Sequence, residues 1–600
     1  MSNEETVPKN DLMQLSESYT EVAKQSQQLM AEFLQRHAGA LGMTRELNIS
    51  EAFFEMTTRM LGDPFKLAET QWKLWQDYLA LWHSSVMKMM GEENRPPVVE
   101  PHISDKRFKD DAWQKNFLFD YIKQSYLIAA RHLHGAVSNV EGLDEKTARK
   151  VEFYTRQFID ALSPSNFVLT NPEVLRETVQ SGGQNLIKGL KNLLRDLDRG
   201  DHRQLRIRMT DLEAFKLGTN VATTKGKVVY QNELMQLIQY QPSTKEVFRL
   251  PLLIIPPWIN KFYVLDLREN NSFIKWAVDQ EHTVFVISWV NPDEKLAHKD
   301  FEDYLLEGSL AALDAIEKAT GERKVNAIGY CLGGTLLAAT LGYLAAKGNE
   351  RIASATFLAT LIDFTEPGEL GVFVDEQQVS ALEKRMEERG YLEGFEMATT
   401  FNMLRSNDLI WSFVVNNYLL GKDPFPFDLL FWNSDATRMP AKMHSFYLRN
   451  MYIKNLLKKP GGLTLAKVAI DLSRVKTPAY FLSTVEDHIA PWKSTYAGTS
   501  LLRGPAKFVL GGSGHIAGVI NPPSANKYGY RTNAKTPTDP NSWLNGAKHN
   551  DGSWWTDWRK WIAAYGGEKV LARLPGRGRL KALEDAPGSY VKLHLHNKST

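Results

Sequence analysis

Residues 324–340, KVNAIGYCLGGTLLAAT, contain the only cysteine of this 600-residue chain, and a glycine lies two positions to each side of it. KVNAIGY has the apolar, branched character of a buried strand, and LGGTLLAAT begins a helix rich in Ala and Leu. Cys331 therefore falls on a strand-to-helix turn. Gly329 and Gly333 leave room there for the strand and the helix to approach each other.

The chain around this turn alternates short apolar runs with helix-length segments. Such alternation from residue 206 to residue 600 predicts a mostly parallel sheet wrapped by helices. Residues 363–475 break the rhythm, being helical and aromatic, and we interpret them as a cap inserted after a strand, where open α/β sheets bind ligands. The predicted strands are GKVVYQN, ELMQLIQYQ, PLLIIPP, TVFVISWV, KVNAIGY, ASATFLATL, PAYFLSTVED and AKFVLGG.

A glycine-flanked nucleophile between a strand and a helix is typical of the α/β-hydrolase fold, whose elbow reads G-x-S-x-G. Here sulfur takes the place of oxygen. The amino terminus of the helix favours the thiolate form by its partial positive charge. We interpret Cys331 as a catalytic nucleophile; the alternative is a buried, inert cysteine.

The fold predicts an acid and then a histidine farther along the chain, each just after a strand. AYFLSTVEDHIAPW supplies Asp487, and AKFVLGGSGHIAGVINPP supplies His515. Glu486 competes with Asp487 as the carboxylate. His488 competes with His515 as the base, but adjacent residues in an extended loop point apart, so we interpret His488 as a supporting or structural residue.

An acyl-transfer site also needs two donors for the developing oxyanion. One is expected at the backbone N–H of Leu332, directly after the nucleophile. The second is expected in the loop PPWINKFYVLDL, where Pro256 and Pro257 have no N–H, so that Trp258 and Ile259 are the first available donors. The sequence does not choose between them, and the loop could simply turn the chain.

Residues 1–205 predict a helical amino-terminal domain, with a charged, proline-containing linker at 91–101. In TQWKLWQDYLALWHSSVMKMM, residues Trp72, Trp75, Leu79 and Trp82 recur at helical spacing. We expect this stripe to pack inside the protein rather than to form an exposed docking surface.

Composition restricts the classes of function and the cellular location that we expect for the chain. The 72 basic and 70 acidic residues give a net charge of +2, which does not favour nucleic-acid binding. One cysteine excludes an intramolecular disulfide framework and fits a reducing compartment. MSNEETVPKNDLMQ has no secretory-signal character, and no apolar run reaches the ~18–20 residues of a membrane span. We therefore expect a cytoplasmic, soluble protein that needs neither metal nor cofactor.

Sulfur chemistry points to a substrate class. A cysteine that exchanges with a thioester forms another thioester, so the acyl group stays activated for the next acceptor. A serine would give a less reactive ester. This favours acyl transfer from a thioester such as an acyl-CoA over hydrolysis of ordinary esters.

At these residues the chain resembles the polyhydroxyalkanoate synthases of class I, which work without a second synthase subunit. The matching stretches run in order from about residue 160 to 530: SPSNFVLTNPEV, PPWINKFYVLDLREN, GYCLGGT, LRSNDLIWSFVVNNYLLG, FWNSDATRMP, VEDHIAPW and GGSGHIAGVINPP. Arg405 and Asp435 match family patterns, although structural ion pairs would explain each equally well.

The resemblance implies that (R)-3-hydroxyacyl-CoA, of short chain length such as 3-hydroxybutyryl-CoA, is polymerised into a polyester held in cytoplasmic granules. It implies that Cys331 is acylated, that His515 activates the thiol and that Asp487 assists attack by the 3-hydroxyl. It also implies a homodimer, a cap that controls access to the site and contact with the granule surface and granule-associated proteins. Two alternatives remain, a cysteine-dependent thioesterase of the same fold and a non-catalytic granule-surface protein.

Overall fold

The computed structural model describes residues 49–593 except 63, 93–94, 104, 139 and 200–204. The segment MSNEETVPKNDLMQ, on which we based the expectation about a secretory signal, lies outside the described residues. The chain divides into two compact units. One runs up to Asp211 and also includes Phe401–Phe425, and the other comprises Leu212–Thr400 and the chain from Pro426 onward.

The first unit is helical. Its helices are α1 (Ile49–Leu61), α2 (Pro64–Met89), α3 (Ala112–Lys115), α4 (Phe117–Ser138), α5 (Glu145–Ala161), α6 (Pro172–Gln180) and α7 (Gln184–Arg199). The predicted linker 91–101 corresponds to chain without helix or strand, apart from residues 93–94, which are outside the described part. Asn171 caps α6 by accepting hydrogen bonds from the N–H groups of Glu173 and Val174.

Phe401–Phe425 completes this helical unit. Its backbone lies along α7, where the Asn185 side-chain amide donates to the Leu419 carbonyl over 2.8 Å. The Tyr418 hydroxyl donates to Asp196 over 2.8 Å, and both side chains are buried. A stretch that the sequence assigned to the cap insertion therefore belongs to the compact unit of the amino-terminal helices.

The expectation that the tryptophan stripe of α2 packs inside the protein is wrong. Trp72, Trp75 and Trp82 are 58%, 56% and 61% exposed. The helix instead turns a different face toward α4, with Leu81 fully buried and the Tyr78 hydroxyl donating to the Ser125 carbonyl over 3.2 Å. Small and polar side chains on that face allow the two helices to approach closely, and the large indoles lie outside the contact.

The second unit is built on one twisted sheet of the α/β-hydrolase type. Its strand order is β15-β14-β13-β12-β7-β6-β4-β5-β2-β1-β17, and β5, β4, β6, β7, β12 and β13 run parallel to one another. The sheet strands are β1 (Gly226–Gln231), β2 (Met235–Tyr240), β4 (Leu252–Ile255), β5 (Val284–Trp289), β6 (Val325–Tyr330), β7 (Ile352–Leu358), β12 (Ala479–Thr484), β13 (Ala506–Gly511), β14 (Tyr530–Thr532), β15 (Lys548–Asn550) and β17 (Glu584–Asp585).

Helices cover both faces of this sheet. They are α8 (Phe273–Asp279), α9 (Phe301–Asp303), α10 (Ala311–Thr320), α11 (Leu332–Ala346), α16 (Trp492–Ala497), α17 (Pro540–Asn545) and α18 (Trp555–Ala563). Strands β4, β5 and β6 are buried at every position, as continuous apolar runs in a doubly covered parallel sheet should be. Small antiparallel pairs lie outside the main sheet, one of them formed by β3 (Glu246–Phe248) and β16 (Lys569–Leu571).

Between β7 and β12 the chain leaves the sheet. This insertion contains α12 (Glu376–Arg389), β8 (Tyr391–Leu392), α13 (Gly394–Leu404), α14 (Asp428–Ser434), β9 (Met439–Pro440), α15 (Ala441–Tyr447), β10 (Leu463–Leu465) and β11 (Val468–Ile470). Its beginning is tied to the chain that precedes β10, because Asp363 accepts a 2.8 Å hydrogen bond from Asn455 and pairs with Lys458 at 3.1 Å. No helix in the described part of the chain has the length and apolar character needed to cross a bilayer.

Helix α11 approaches β4 so closely that a side chain at Gly333 would not fit. A Cβ atom there would lie 2.0 Å from the Ile255 carbonyl oxygen and 2.7 Å from that of Pro256. We therefore predict that Gly333→Ala lowers the free energy of unfolding by about 3 kcal/mol, measured by chemical denaturation.

Gly135→Ala in α4 is the matched control, because among the described residues no heavy atom beyond the neighbouring residues and the backbone of the helix itself lies within 4 Å of the added Cβ. It should leave the stability unchanged or raise it by up to about 1 kcal/mol through helix propensity. Equal stability of the two variants would contradict the close approach.

Candidate active site

Cys331 occupies the turn between β6 and α11 with φ 51° and ψ −118°, a strained conformation for a residue with a side chain. Backbone hydrogen bonds hold it there. The Cys331 N–H donates to the Leu358 carbonyl over 2.9 Å, and the Cys331 carbonyl accepts from the N–H groups of Gly334 and Thr335. Such strain costs about 1–3 kcal/mol and persists only where the surroundings enforce it. The turn leaves the thiol partly exposed.

The glycines of the elbow are required by close contacts. A Cβ at Gly329 would lie 2.4 Å from the Cα of Gly334, and Gly333 faces the Ile255 carbonyl as described above. Strand and helix therefore cross at Cys331 with backbone against backbone.

His515 and Asp487 are brought together from the loops that follow β13 and β12. The His515 Nδ1 and the Asp487 Oδ2 lie 2.7 Å apart, and the Asp487 side chain is completely buried. The other carboxylate oxygen of Asp487 accepts from the N–H groups of Ile489 and Ala490 over 2.9 and 2.8 Å. Both oxygens are thus engaged, and the imidazole is held by its Nδ1.

The surroundings of His515 favour its charged form. Burial opposes the charge, but the charges of Asp487 and then of Cys331, together with hydrogen bonds to both side chains, outweigh burial and raise the pKa of His515 well above its usual 6.5. The ring also stacks on Tyr330 at a centroid distance of 5.8 Å, and the Tyr330 hydroxyl donates to the His515 carbonyl. The arrangement suits an imidazolium between Asp487 and Cys331.

Glu486 and His488, the competing candidates in the sequence, make contacts other than the Asp487–His515 pair. Glu486 is exposed, and its backbone N–H donates to the Ser513 carbonyl. His488 is half-buried, and its carbonyl accepts from the N–H of Glu369 in the insertion. The carboxylate that reaches His515 is therefore that of Asp487.

The expected oxyanion donors lie on two elements that touch at Gly333. Leu332 is the first residue of α11, and Trp258 and Ile259 follow β4. In the part of the chain that the structure describes, the N–H groups of these three residues have no hydrogen-bond acceptor. The Trp258 side chain is buried, and its indole N–H points to the Met443 sulfur over 3.1 Å.

Two tyrosines near Cys331 were not found from the sequence. The Tyr447 hydroxyl lies 3.2 Å from the hydroxyl of Thr335, one helical turn after Cys331. Burial first, and also the nearby Cys331 charge, raises the pKa of Tyr447 and of Tyr452. Their five-residue spacing does not fit an α-helix, but Leu448–Ile453 forms a π-helix, which brings residues five apart close to one face. The aromatic pair in FYLRNMY was the available signal.

Among the described residues, no group of three or more His, Cys, Asp and Glu side chains could hold a metal ion. The Cys331, His515 and Asp487 side chains are of the types that can act as a nucleophile, a proton carrier and a charge that stabilises the carrier.

Comparisons with known proteins identify the family of the chain. Residues 104–277 match the family model described as the amino terminus of poly-beta-hydroxybutyrate polymerase (PhaC), and residues 251–522 match that of the alpha/beta hydrolase fold. The poly(3-hydroxyalkanoate) polymerase of Methylorubrum extorquens is 52% identical over 597 residues, covering 98% of each chain.

Two further relatives are named poly(3-hydroxyalkanoate) polymerase subunit PhaC. That of Rhizobium meliloti (strain 1021) is 52% identical over 89% of this chain and 87% of its own. That of Cupriavidus necator is 44% identical over 88% of this chain and 89% of its own. With such identity along most of its length, the chain belongs to the poly(3-hydroxyalkanoate) polymerase family of acyltransferases.

Proposed function

We propose that this enzyme polymerises (R)-3-hydroxyacyl units from their CoA thioesters and releases CoA, with the growing chain carried as a thioester on Cys331. The observation that carries the proposal is the charged His515–Asp487 pair beside a cysteine on a strained elbow. It stands in a chain 52% identical to a poly(3-hydroxyalkanoate) polymerase.

In the acylation step the Cys331 thiolate attacks the thioester carbonyl. The oxyanion accepts hydrogen bonds from the Leu332 N–H and from the N–H of Trp258 or Ile259. The carbon–sulfur bond to CoA then breaks, and the His515 imidazolium gives its proton to the departing CoA thiolate. The products are free CoA and an acyl-cysteine, while His515 is neutral.

In the elongation step the 3-hydroxyl of a second hydroxyacyl-CoA attacks the acyl-cysteine. Neutral His515 accepts the hydroxyl proton as the new carbon–oxygen bond forms, and the Cys331 thiolate leaves. An ester bond has replaced the acyl-cysteine thioester, the lengthened chain ends in the CoA thioester of the incoming unit, and the thiolate–imidazolium pair is restored. A new acylation step then returns the chain to Cys331 and releases CoA. His515 gives one proton to CoA and recovers one from the hydroxyl in each cycle, so the scheme calls for no cofactor.

Asp487 acts in this scheme through His515 rather than on the 3-hydroxyl directly. Its side chain is completely buried, one oxygen accepts two backbone N–H bonds and the other pairs with the imidazole. The carboxylate therefore fixes the orientation of the ring and stabilises its positive charge.

The setting of the reaction follows from the family resemblance. We infer that the enzyme works in the cytoplasm as a homodimer on the surface of polyester granules, with granule-associated proteins, and prefers short units such as 3-hydroxybutyryl. The exposed Trp72, Trp75 and Trp82 of α2 offer an apolar surface of the kind that an insoluble polyester would cover.

The direct test is to incubate the purified enzyme with (R)-3-hydroxybutyryl-CoA and to measure free CoA and recovered polyester in the same sample. We expect CoA and polymerised hydroxybutyrate in equal amounts. Release of CoA with an equal amount of free 3-hydroxybutyrate and no polymer would instead identify a thioesterase.

Replacing the nucleophile should abolish the reaction. Cys331→Ala leaves no thiol anywhere in the chain, so we expect neither CoA release nor polymer, and no acyl group on the protein by intact-mass measurement. Polymer formation by this variant would contradict covalent catalysis. Arg351→Ala, at the opposite end of β7 from Cys331, serves as the control and should keep the wild-type activity.

Asp487→Asn should change the pH dependence as well as the rate. Losing the carboxylate lowers the pKa of His515, so polymerisation should fall about 10²- to 10⁴-fold. The alkaline limit of the polymerisation rate, which depends on the imidazolium that protonates the departing CoA, should also move to lower pH.

The stability difference between the wild type and Asp487→Asn has a defined sign. Because the folded-state pKa of His515 is raised, its contribution to stability is complete below pH 6.5 and is lost as pH rises through the folded-state pKa. Denaturation at several pH values should show the gap narrowing toward alkaline pH. A gap that widened would contradict the assignment.

A further inference from the structure

A buried ion pair joins the loop after β4 to the insertion. The Lys261 Nζ lies 2.7 Å from the Asp435 Oδ1, and the two side chains are only 3% and 7% exposed. Lys261 follows Trp258 and Ile259 in the loop that carries the expected oxyanion donors. Asp435 directly follows α14.

Three further contacts join the same two stretches of the chain. The indole N–H of Trp432 donates to the Lys261 carbonyl over 2.7 Å, and the Thr437 hydroxyl donates to the Trp258 carbonyl over 2.6 Å. Asn260 and Ala436 form an antiparallel bridge. The end of α14 and the residues that follow it, 435–437, are therefore held against residues 258–261.

The loop is held at its other end by a different set of contacts. The Pro256 carbonyl accepts a 2.8 Å hydrogen bond from the Trp289 indole, and it packs against Gly333 at the start of α11. The backbone between Pro256 and Lys261 is thus fixed at both ends, and it contains the unengaged N–H groups of Trp258 and Ile259.

A buried ion pair contributes little net stability to the loop that it holds. Desolvation of both charges offsets most of their attraction, and apolar side chains of similar size often give equal stability. Burial lowers the pKa of Lys261, and Asp435 opposes that shift. The charge pair instead fixes the geometry of the loop. Lys261 Nζ pairs with Asp435 and also donates to the Leu593 carbonyl over 3.0 Å, and the Tyr263 hydroxyl donates to Asp435.

We propose that Lys261 and Asp435 are positioning residues for the oxyanion hole, holding the Trp258–Lys261 backbone so that its N–H groups face the oxyanion that forms when Cys331 attacks the thioester carbonyl. The inference rests on the proposed function. On this proposal, residues 432–437 of the insertion help to position the oxyanion donors, although none of their side chains touches the reacting atoms.

The test compares two reactions of the single cysteine. Alkylation by iodoacetamide needs the thiolate and His515 but passes through no oxyanion. Acylation by (R)-3-hydroxybutyryl-CoA, followed by intact mass in a single turnover, needs the thiolate and the oxyanion donors. A residue that positions these donors should affect the second reaction and not the first.

The principal variant is Lys261→Met combined with Asp435→Leu, which removes both charges and keeps the volume apolar. We expect its acylation rate to fall about 10²- to 10³-fold, with alkylation within twofold of the wild type. Arg351→Met is the control, since it removes a guanidinium that is only 10% exposed, and with it the ion pair to Asp314, at the amino end of β7, and it should leave both rates within twofold.

Asp435→Glu provides a second variant that keeps the charge but displaces the carboxylate. We expect an intermediate loss of acylation with unchanged alkylation. Unchanged acylation in both variants, or equal loss of both reactions, would overturn the positioning role. If the double variant shows no cooperative thermal transition, acylation and alkylation are compared in Asp435→Glu alone, and that comparison decides the positioning role.

The outcome is separable from that of the polymerase proposal. A wild-type enzyme that is acylated but makes no polymer would refute polymerisation, yet the acylation rates of the variants would still decide the role of the ion pair. A wild type that is alkylated but never acylated by the thioester would overturn both.

Discussion

The backbone of Cys331 is the constraint on which the rest of the site depends. A positive φ at a residue with a side chain is tolerated only because the Leu358 carbonyl, the first turn of α11 and two glycines fix the chain on every side. The same turn exposes the sulfur at the carboxyl ends of the parallel strands. Strands β12 and β13 lie beyond β7 on the same side of β6 and run parallel to it, so their following loops reach the same edge of the sheet and bring Asp487 and His515 together.

Charge and burial act in opposite directions at this site. Burial alone would favour a neutral imidazole, as in His282 and His444, where the pKa is lowered to about 3 and about 4. Next to Asp487 and Cys331 the direction reverses. The same apolar surroundings that penalise an isolated charge thus strengthen the attraction between paired charges. Both effects occur in the second compact unit.

The central strands and the chemistry-bearing loops could be predicted from the sequence because local patterns specify them. KVNAIGY, PLLIIPP and AKFVLGG are apolar runs followed by turn residues, and each forms a strand of the sheet. The edge strands β14, β15 and β17 were missed, since they are short, polar and stabilised only by their neighbours.

Tertiary features were beyond local patterns for a different reason. Trp72 and Trp82 have the spacing of a buried stripe, and only the packing of α2 on α4 shows that another face is covered. Tyr447 and Tyr452 meet near Cys331 through a π-helix that no periodicity predicts. Asp435 was recognised as a patterned residue, but its partner Lys261 lies 174 positions earlier in the chain.

The membership of Phe401–Phe425 in the helical unit has a consequence for biosynthesis. On the ribosome, α7 emerges about two hundred residues before Leu419 and Tyr418, which complete its hydrogen bonds with Asn185 and Asp196. The nascent amino-terminal helices must therefore wait, with part of their surface uncovered, while most of the parallel sheet is being translated. Chaperone demand should peak in that interval, before the codons for residues 401–425 are read.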